Sequence, residues 1–83
     1  MGKLIMGLKV SQRQETAKAL QDVLTKHGCV INTRLGFHDA SAESCSEQGY
    51  IILEFVSGTD AEVAVMKAEL EAIGGISVAT MEL

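Results

Sequence analysis

The chain repeats one local pattern twice, and this repeat restricts the folds open to it more than any other feature. Residues 3–10 alternate apolar and other side chains with the period of two that is typical of a β-strand. Ser11 and Gln14 form an S-x-x-Q capping box, which predicts the start of a helix. We expect this helix to end at Gly28, as a left-handed C′ residue, and residues 29–38 to form a second strand rich in β-branched side chains.

The second half of the chain shows the same order of signals. Residues 49–56 (GYIILEFV) carry the strongest strand signal in the sequence. Thr59 and Glu62 form a T-x-x-E capping box, which predicts a second helix. Apolar residues then recur at helical spacing until Gly74-Gly75 stops the helix: Val63, Met66, Leu70 and Ile73. Residues 76–83 alternate again and predict a final strand.

Two strand–helix–strand units joined by a small polar loop at residues 39–48 predict one compact fold for the whole chain. We expect a single domain over residues 1–83 with an α+β, ferredoxin-like (βαββαβ) sandwich. Its four-stranded antiparallel sheet would carry both helices on one face. A chain of 83 residues is near the size at which one core becomes marginal, so burial shared with a partner is expected.

The sheet face that the helices leave uncovered is predicted to be apolar. If Leu4, Met6 and Leu8 point inward, the opposite face carries Ile5, Gly7, Val30, Tyr50, Ile52 and Val56. A contiguous apolar patch on a small protein usually marks an interaction surface, and Gly7 in mid-strand would let another backbone approach. We therefore expect a homo-oligomer, a dimer or a tetramer, formed through this face. The alternative is a register shifted by one residue, which would exchange the two faces.

Composition excludes several classes of function. The net charge of −4 and the presence of only three aromatic residues argue against direct nucleic-acid binding, which needs clustered Lys and Arg or stacking platforms. No run of about 18 apolar residues is present, so no membrane span is predicted. The first residues lack the layout of a signal peptide, so the two cysteines indicate a cytoplasmic protein with reduced thiols.

Histidine and cysteine at the polar loop suggest a metal site. His38 precedes this loop and Cys45 lies within it, and soft nitrogen and sulfur ligands suit zinc, nickel or copper. A closed site needs about four ligands, so a subunit interface would have to complete it. In the alternative interpretation, His38 is a surface residue and Cys29 packs in the core.

The sequence offers little for catalysis. It contains neither the G-x-S-x-G nucleophile elbow nor the glycine-rich loops that bind phosphate, so we expect no enzyme activity. An acylphosphatase-like hydrolase is the enzymatic alternative, with Arg13 in the first strand-to-helix connection holding phosphate. Arg34, in the second strand, is either a surface ion-pairing residue or an anion anchor at an interface.

Five segments cover nearly the whole chain: IMGLKV, the helix segment SQRQETAKALQDVLTKHG, INTRLGF with its Arg-x-Gly-aromatic pattern, YIILEFV and LEAIGGISVATMEL. In these segments the chain resembles the iron-only hydrogenase system regulators, a bacterial family of small stand-alone ACT-like domains. It implies a ferredoxin-like, ACT-like homo-oligomer with a regulatory role.

The chain is also distantly similar to the metal-sensing domain of nickel-responsive regulators, in which a His-x-His strand and a downstream cysteine bind nickel across an interface. In this chain Gly36 replaces the first histidine, His38 matches the second, and Cys45 is the candidate cysteine. ACT domains that bind amino acids use a glycine-containing loop after the first strand, and Val10-Ser11-Gln12-Arg13 contains no glycine.

These observations predict a small regulatory or ligand-sensing oligomeric module without catalytic activity, such as a transcription or hydrogenase-system regulator. A ligand is expected at a subunit interface, near Ser11, Gln12 and Arg13 at the end of the first strand and near Arg34. The rival hypotheses are a transition-metal sensor using His38 and Cys45, and the hydrolase using Arg13.

Overall fold

The chain forms a four-stranded antiparallel sheet with two helices on one side. The computed structural model describes residues 2–11, 14–40 and 45–83. The elements are β1 (Leu4–Ser11), α1 (Gln14–Lys26), a short 3₁₀ helix (Gly28–Val30), β2 (Ile31–Ala40), β3 (Cys45–Phe55), α2 (Asp60–Ile73) and β4 (Ile76–Glu82). The strand order is β2-β3-β1-β4, and each neighbouring pair is antiparallel. Because α1 contacts β1, α2 contacts β4 and the helices contact each other, the fold is the predicted ferredoxin-like α+β sandwich.

The core lies between the helices and the face of the sheet that the alternation predicted to point inward. Met6 and Leu53 are neighbours in the β1–β3 register and are both 0% exposed. The other buried apolar side chains are Leu8, Val10, Leu20, Leu24, Val30, Ile51, Phe55, Val63, Met66 and Leu70. Full burial of each larger side chain stabilises the fold by about 1.5–3 kcal/mol, so this layer holds the helices on the sheet.

The connection between α1 and β2 differs from the prediction. Gly28 is not left-handed; it begins the 3₁₀ helix, and β2 starts two residues later than expected, at Ile31. Successive side chains of a 3₁₀ helix turn by about 120° and do not alternate as in a strand. Val30 is therefore buried in the core, so its assignment to the open face was wrong, and Cys29, expected in the core, is exposed.

The hairpin between β2 and β3 is longer than predicted. Residues 39–48 were expected to form a loop, yet β2 continues to Ala40 and β3 begins at Cys45. Ala40 pairs with Cys45, and a register irregularity separates this pair from that of His38 with Gly49. Backbone pairing across the hairpin thus extends the strands through a polar sequence that carries no strong strand signal of its own.

The second helix begins where predicted but without the predicted capping box. Thr59 is the N-cap of α2, and its side chain makes no capping hydrogen bond. Its Oγ1 atom instead donates to the carbonyl oxygen of Val56 at 2.6 Å. Glu62, the expected partner in the box, contacts His27, which follows α1, so a tertiary contact replaces the local motif.

Candidate functional site

Arg34 is the one residue of the predicted ligand site whose side chain the structure describes. It pairs with the inward-facing Leu53, which places it on the helix side of the sheet, and it is exposed near the edge. Its Nη1 atom donates a hydrogen bond to Oε1 of Gln21 on α1, at 3.3 Å. Ser11 ends β1, but its side chain and the whole of Gln12 and Arg13 lie outside the described residues. The proximity expected between these residues and Arg34 stays a prediction.

A cavity of about 280 Å³ lies beside this arginine contact, between α1 and the β2–β3 half of the sheet. We call it the helix-side cavity; it is lined by Val10, Ala17, Leu20, Gln21, Gly36, Phe37, Gly49, Tyr50 and Ile51. The strands contribute glycine at two of these positions, and a Cβ atom added at Gly36 would meet, among the described residues, only the Tyr50 carbonyl oxygen, at 3.9 Å. Because Gly36 and Gly49 carry no side chain, the sheet below α1 is left unfilled at these two positions.

The predicted metal ligands lie on the hairpin that β2 and β3 form. His38 belongs to β2 and Cys45 opens β3, but both side chains lie outside the described residues. Within the described ranges, no three His, Cys, Asp or Glu side chains are placed to hold a metal ion. The interfacial metal site therefore stays a prediction from the sequence.

The face of the sheet opposite the helices is apolar, as the alternation predicted. The register places these residues on it, and we call this set the open face: Ile5, Gly7, Lys9, Thr33, Leu35, Phe37, Tyr50, Ile52, Glu54, Ser77, Ala79 and Met81. Leu35 is 57% exposed, Met81 51% and Phe37 50%. Sequence reasoning identified four members, Ile5, Gly7, Tyr50 and Ile52, whereas Val56 lies just beyond β3 and is exposed.

The sequence placed Tyr50 on the open face but did not indicate that Phe37 lies beside it. The rings of Phe37 and Tyr50 stack with centroids 5.3 Å apart and an angle of 16° between their planes. They are cross-strand neighbours in the β2–β3 register. The sequence signal for Phe37 is its spacing of two from Leu35 along β2, which places both apolar side chains on the same face.

A polar cluster closes one end of the open face. Glu54 accepts from Lys3 Nζ at 2.7 Å, from Thr33 Oγ1 at 2.8 Å and from Asn32 Nδ2 at 3.3 Å. The hydrogen bond from Lys3, reinforced by those from Thr33 and Asn32, lowers the pKa of Glu54 to about 2. The carboxylate is thus held in its charged form and its charge is balanced locally.

A second polar cluster joins the two helices, and no motif in the sequence indicated it. His27, which follows α1, is 5% exposed, and its ring nitrogens lie 2.9 Å from Glu62 Oε2 and 2.5 Å from Glu69 Oε1. These contacts raise the pKa of His27, mainly through the hydrogen bonds to Glu62 and then Glu69. The only sequence signal was the position of His27 in the apolar stripe of α1, three residues after Leu24.

No helix in the described part of the chain is both long and apolar enough to cross a bilayer.

Comparison with known proteins identifies the fold. No family model matches the sequence, and no curated protein matches it significantly. Among solved structures, an uncharacterised protein from Thermotoga maritima matches with a TM-score of 0.75 at 20% identity, over 99% of this chain and 96% of that one. A formyltetrahydrofolate deformylase from Pseudomonas putida matches with a TM-score of 0.64 at 18% identity, over 95% of this chain but 28% of the enzyme.

A third similar structure is CPII from Thiomonas intermedia, solved bound to ADP, AMP and acetate. It matches with a TM-score of 0.56 at 11% identity, over 98% of this chain and 87% of that one. At such identities the similarity is one of fold. The ferredoxin-like sandwich thus occurs both as a protein of this size and as a minor part of a larger enzyme.

Proposed function

We propose that this chain is a small regulatory module, without catalytic activity of its own, that associates with copies of itself through the open face and responds to a ligand. The observation that carries the proposal is the open face itself. Leu35, Phe37 and Met81 are each half exposed or more on one side of one sheet. The water-facing side of an antiparallel sheet normally carries polar residues. An apolar side of this kind is instead typical of an interface with another molecule.

The size of the open face suits a second copy of the chain. Four strands about 4.8 Å apart, each with about seven residues rising about 3.4 Å, give a face of roughly 19 by 24 Å. The flat area of the face is therefore roughly 450 Å². The solvent-accessible surface is larger, because side chains project from the sheet, and it approaches the roughly 800 Å² that each partner buries in a stable interface. Two such faces packed together would bury the exposed apolar residues of both copies at once.

The charge distribution also favours self-association through this side. The chain carries 11 acidic and 7 basic residues, a net charge of −4, so two copies repel each other at long range. Among the described residues of the open face, Glu54 is the one acidic side chain and it is paired with Lys3, while Lys9 adds a positive charge. Repulsion is therefore weakest when two open faces meet.

The ligand of the proposed module would occupy the helix-side cavity. Gln21 lines this cavity and accepts a hydrogen bond from Arg34, so a guanidinium group stands next to a mostly apolar space. This arrangement suits a small molecule with an anionic group, and Ser11, Gln12 and Arg13 would extend the site from the end of β1. The resemblance to iron-only hydrogenase system regulators supports a regulatory role in the bacterial cytoplasm.

Sedimentation velocity of matched variants tests the self-association. Leu35→Glu introduces a charge on the open face, whereas Val65→Glu introduces the same charge at an equally exposed apolar residue of α2. We expect wild type and Val65→Glu to form the same oligomer at micromolar concentration and Leu35→Glu to dissociate, with a dissociation constant raised about 100-fold or more. A wild type that stays monomeric at 100 µM, or equal dissociation of both folded variants, would contradict the proposal.

The ligand part of the proposal has its own test. Native mass spectrometry of protein purified without chelator would show a stoichiometric extra mass on wild type that is lost in Arg34→Gln. Lys18→Gln, which removes a charge from the exposed side of α1, is the control and should keep the mass. An adduct that persists in Arg34→Gln would place the ligand elsewhere.

A further inference from the structure

A groove in the open face has features of a second ligand site, on the opposite side of the sheet from Arg34. It has a volume of about 240 Å³ and crosses β1 at Gly7, where no side chain rises from the strand. Ala79 on β4 is the register partner of Gly7 and carries only a methyl group, so the two residues form the floor. Phe37, Tyr50 and Ile52 line the side nearest β2.

The glycine in the floor is not required by packing within the chain. Among the described residues, a Cβ atom added at Gly7 would meet a single atom within 4 Å, Cδ1 of Ile52, at an ordinary contact distance of 3.7 Å. The φ angle of Gly7 is not positive, so other residues could adopt its backbone conformation. A larger, β-branched residue would be favoured at this strand position on propensity alone. The open space above Gly7 is thus a feature that the fold itself does not demand.

The polar groups of the groove are gathered at one end. Lys9 and Ser77 are register partners, and both line the groove two residues from the glycine floor. No acidic residue is among the described residues that line it, whereas the Lys3 charge at the far end of the face is taken up by Glu54. The groove therefore combines an aromatic wall, a flat apolar floor and, at one end, a positive charge that no acidic residue among its described lining offsets.

We propose that this groove binds a small, flat, apolar carboxylate. A planar ring system would lie over Gly7 and Ala79 against the stacked rings of Phe37 and Tyr50. Its carboxylate would face Lys9 and Ser77. The volume is just below the range of about 300–1,000 Å³ that is usual for ligand sites, which restricts the ligand to roughly one or two fused rings.

Binding in the groove would be linked to self-association, because Phe37, Tyr50 and Ile52 belong to both surfaces. This link rests on the proposed function, whereas the binding itself does not. If the ligand changes the affinity of two copies for each other, then assembly must change the affinity for the ligand by the same factor. Such a link would let a molecule of this size convert ligand concentration into oligomeric state.

Isothermal titration with 2-naphthoate, and with its neutral analogue 2-naphthamide, tests the groove. We expect wild type to bind the carboxylate and to bind the amide about three- to fivefold more weakly, the factor that an exposed ion pair supplies. Gly7→Val fills the floor and should weaken naphthoate binding at least about tenfold. Lys9→Met should remove the preference for the carboxylate, and Lys18→Met, which deletes the same charge on α1, should leave it unchanged.

Each outcome decides one part of the inference. No binding of naphthoate to wild type at millimolar concentration, or equal binding to folded Gly7→Val, would overturn the groove site. Equal binding of naphthoate and naphthamide to wild type would overturn the assignment of an anion. Sedimentation of the same samples separates this result from the proposed function: an oligomer that binds no naphthoate refutes the groove alone, and a monomer that binds it refutes self-association alone.

Discussion

Nε2 of His27 lies 2.5 Å from Oε1 of Glu69, and this contact joins the end of α1 to the middle of α2. The other ring nitrogen, Nδ1, lies 2.9 Å from Glu62. An ionised carboxylate only accepts hydrogen bonds, so both nitrogens must donate for both contacts to be made. The geometry therefore favours the doubly protonated imidazolium, buried between two acidic residues. Nζ of Lys26 lies 2.5 Å from Oε2 of Glu69 and adds a second positive charge beside this carboxylate.

The His27 contacts predict that the fold weakens as the pH rises above neutrality. The pKa of His27 is raised above its ordinary 6.5 by Glu62 and Glu69. A group with a raised folded-state pKa contributes stability that is fully present below the unfolded value and is lost as the pH rises through the folded value. We expect the free energy of unfolding in urea, measured from pH 5.5 to 9, to fall across this window in wild type. His27→Gln should remove that dependence; a variant curve parallel to that of wild type would contradict the prediction.

Glu54 predicts a separate effect in acid. Its pKa is held at about 2 by the hydrogen bonds from Lys3, Thr33 and Asn32. A lowered pKa contributes stability that is present above the unfolded value of about 4.5 and is lost as the pH falls toward 2. Carbon-detected NMR titration should find Glu54 ionised at pH 3, and Lys3→Met should move its pKa back toward 4.5. If the pKa of Glu54 is the same in Lys3→Met as in wild type, the contact with Lys3 is not the main cause of the lowered pKa.

The turn after α2 predicts a strong preference for glycine. Gly74 has φ = +81° and ψ = +145°, a backbone conformation that is essentially restricted to glycine. Gly74→Ala should lower the free energy of unfolding by about 1–3 kcal/mol in urea denaturation. Gly28→Ala is the matched control, because Gly28 does not have a positive φ and an added Cβ has open space around it. Its effect should stay within about 1 kcal/mol, and a larger loss than for Gly74→Ala would contradict the assignment.

The core predicts a sharp contrast between two neighbouring residues of α2. Met66 is 0% exposed, whereas Val65 is 53% exposed. Met66→Ala should cost about 2–5 kcal/mol through lost burial and the cavity left behind. Val65→Ala should change the stability by about 0.5 kcal/mol or less. Equal losses in thermal or urea unfolding would mean that α2 is rotated relative to the sheet.

The parts of the fold that follow from local pattern were predictable from the sequence. Alternation along β1 assigned Met6 and Leu8 to the core, where the structure buries them, because a strand side chain changes face at every residue. Helical spacing assigned Val63, Met66 and Leu70 to the buried face of α2 for the same kind of reason. The repeated strand–helix–strand order then left few ways to arrange four strands and two helices.

Contacts between distant parts of the chain could not be read in this way. Glu62 has the spacing of a capping residue, yet in the structure it meets His27, 35 positions away in the sequence. Val30 has a β-branched side chain, which is typical of strands, yet it belongs to the 3₁₀ helix before β2 and its side chain is buried in the core.

Most of the residues inside the sandwich, and the largely apolar character of one sheet face, follow from the sequence alone, because both depend on the period of the side chains along each element. The three-dimensional structure was needed to show that Gly7 and Ala79 adjoin to form a groove, that Phe37 stacks on Tyr50 beside it, and that Gly36 and Gly49 leave a cavity beneath α1. Those sites depend on strand register and helix placement, which are set by packing between segments far apart in the chain.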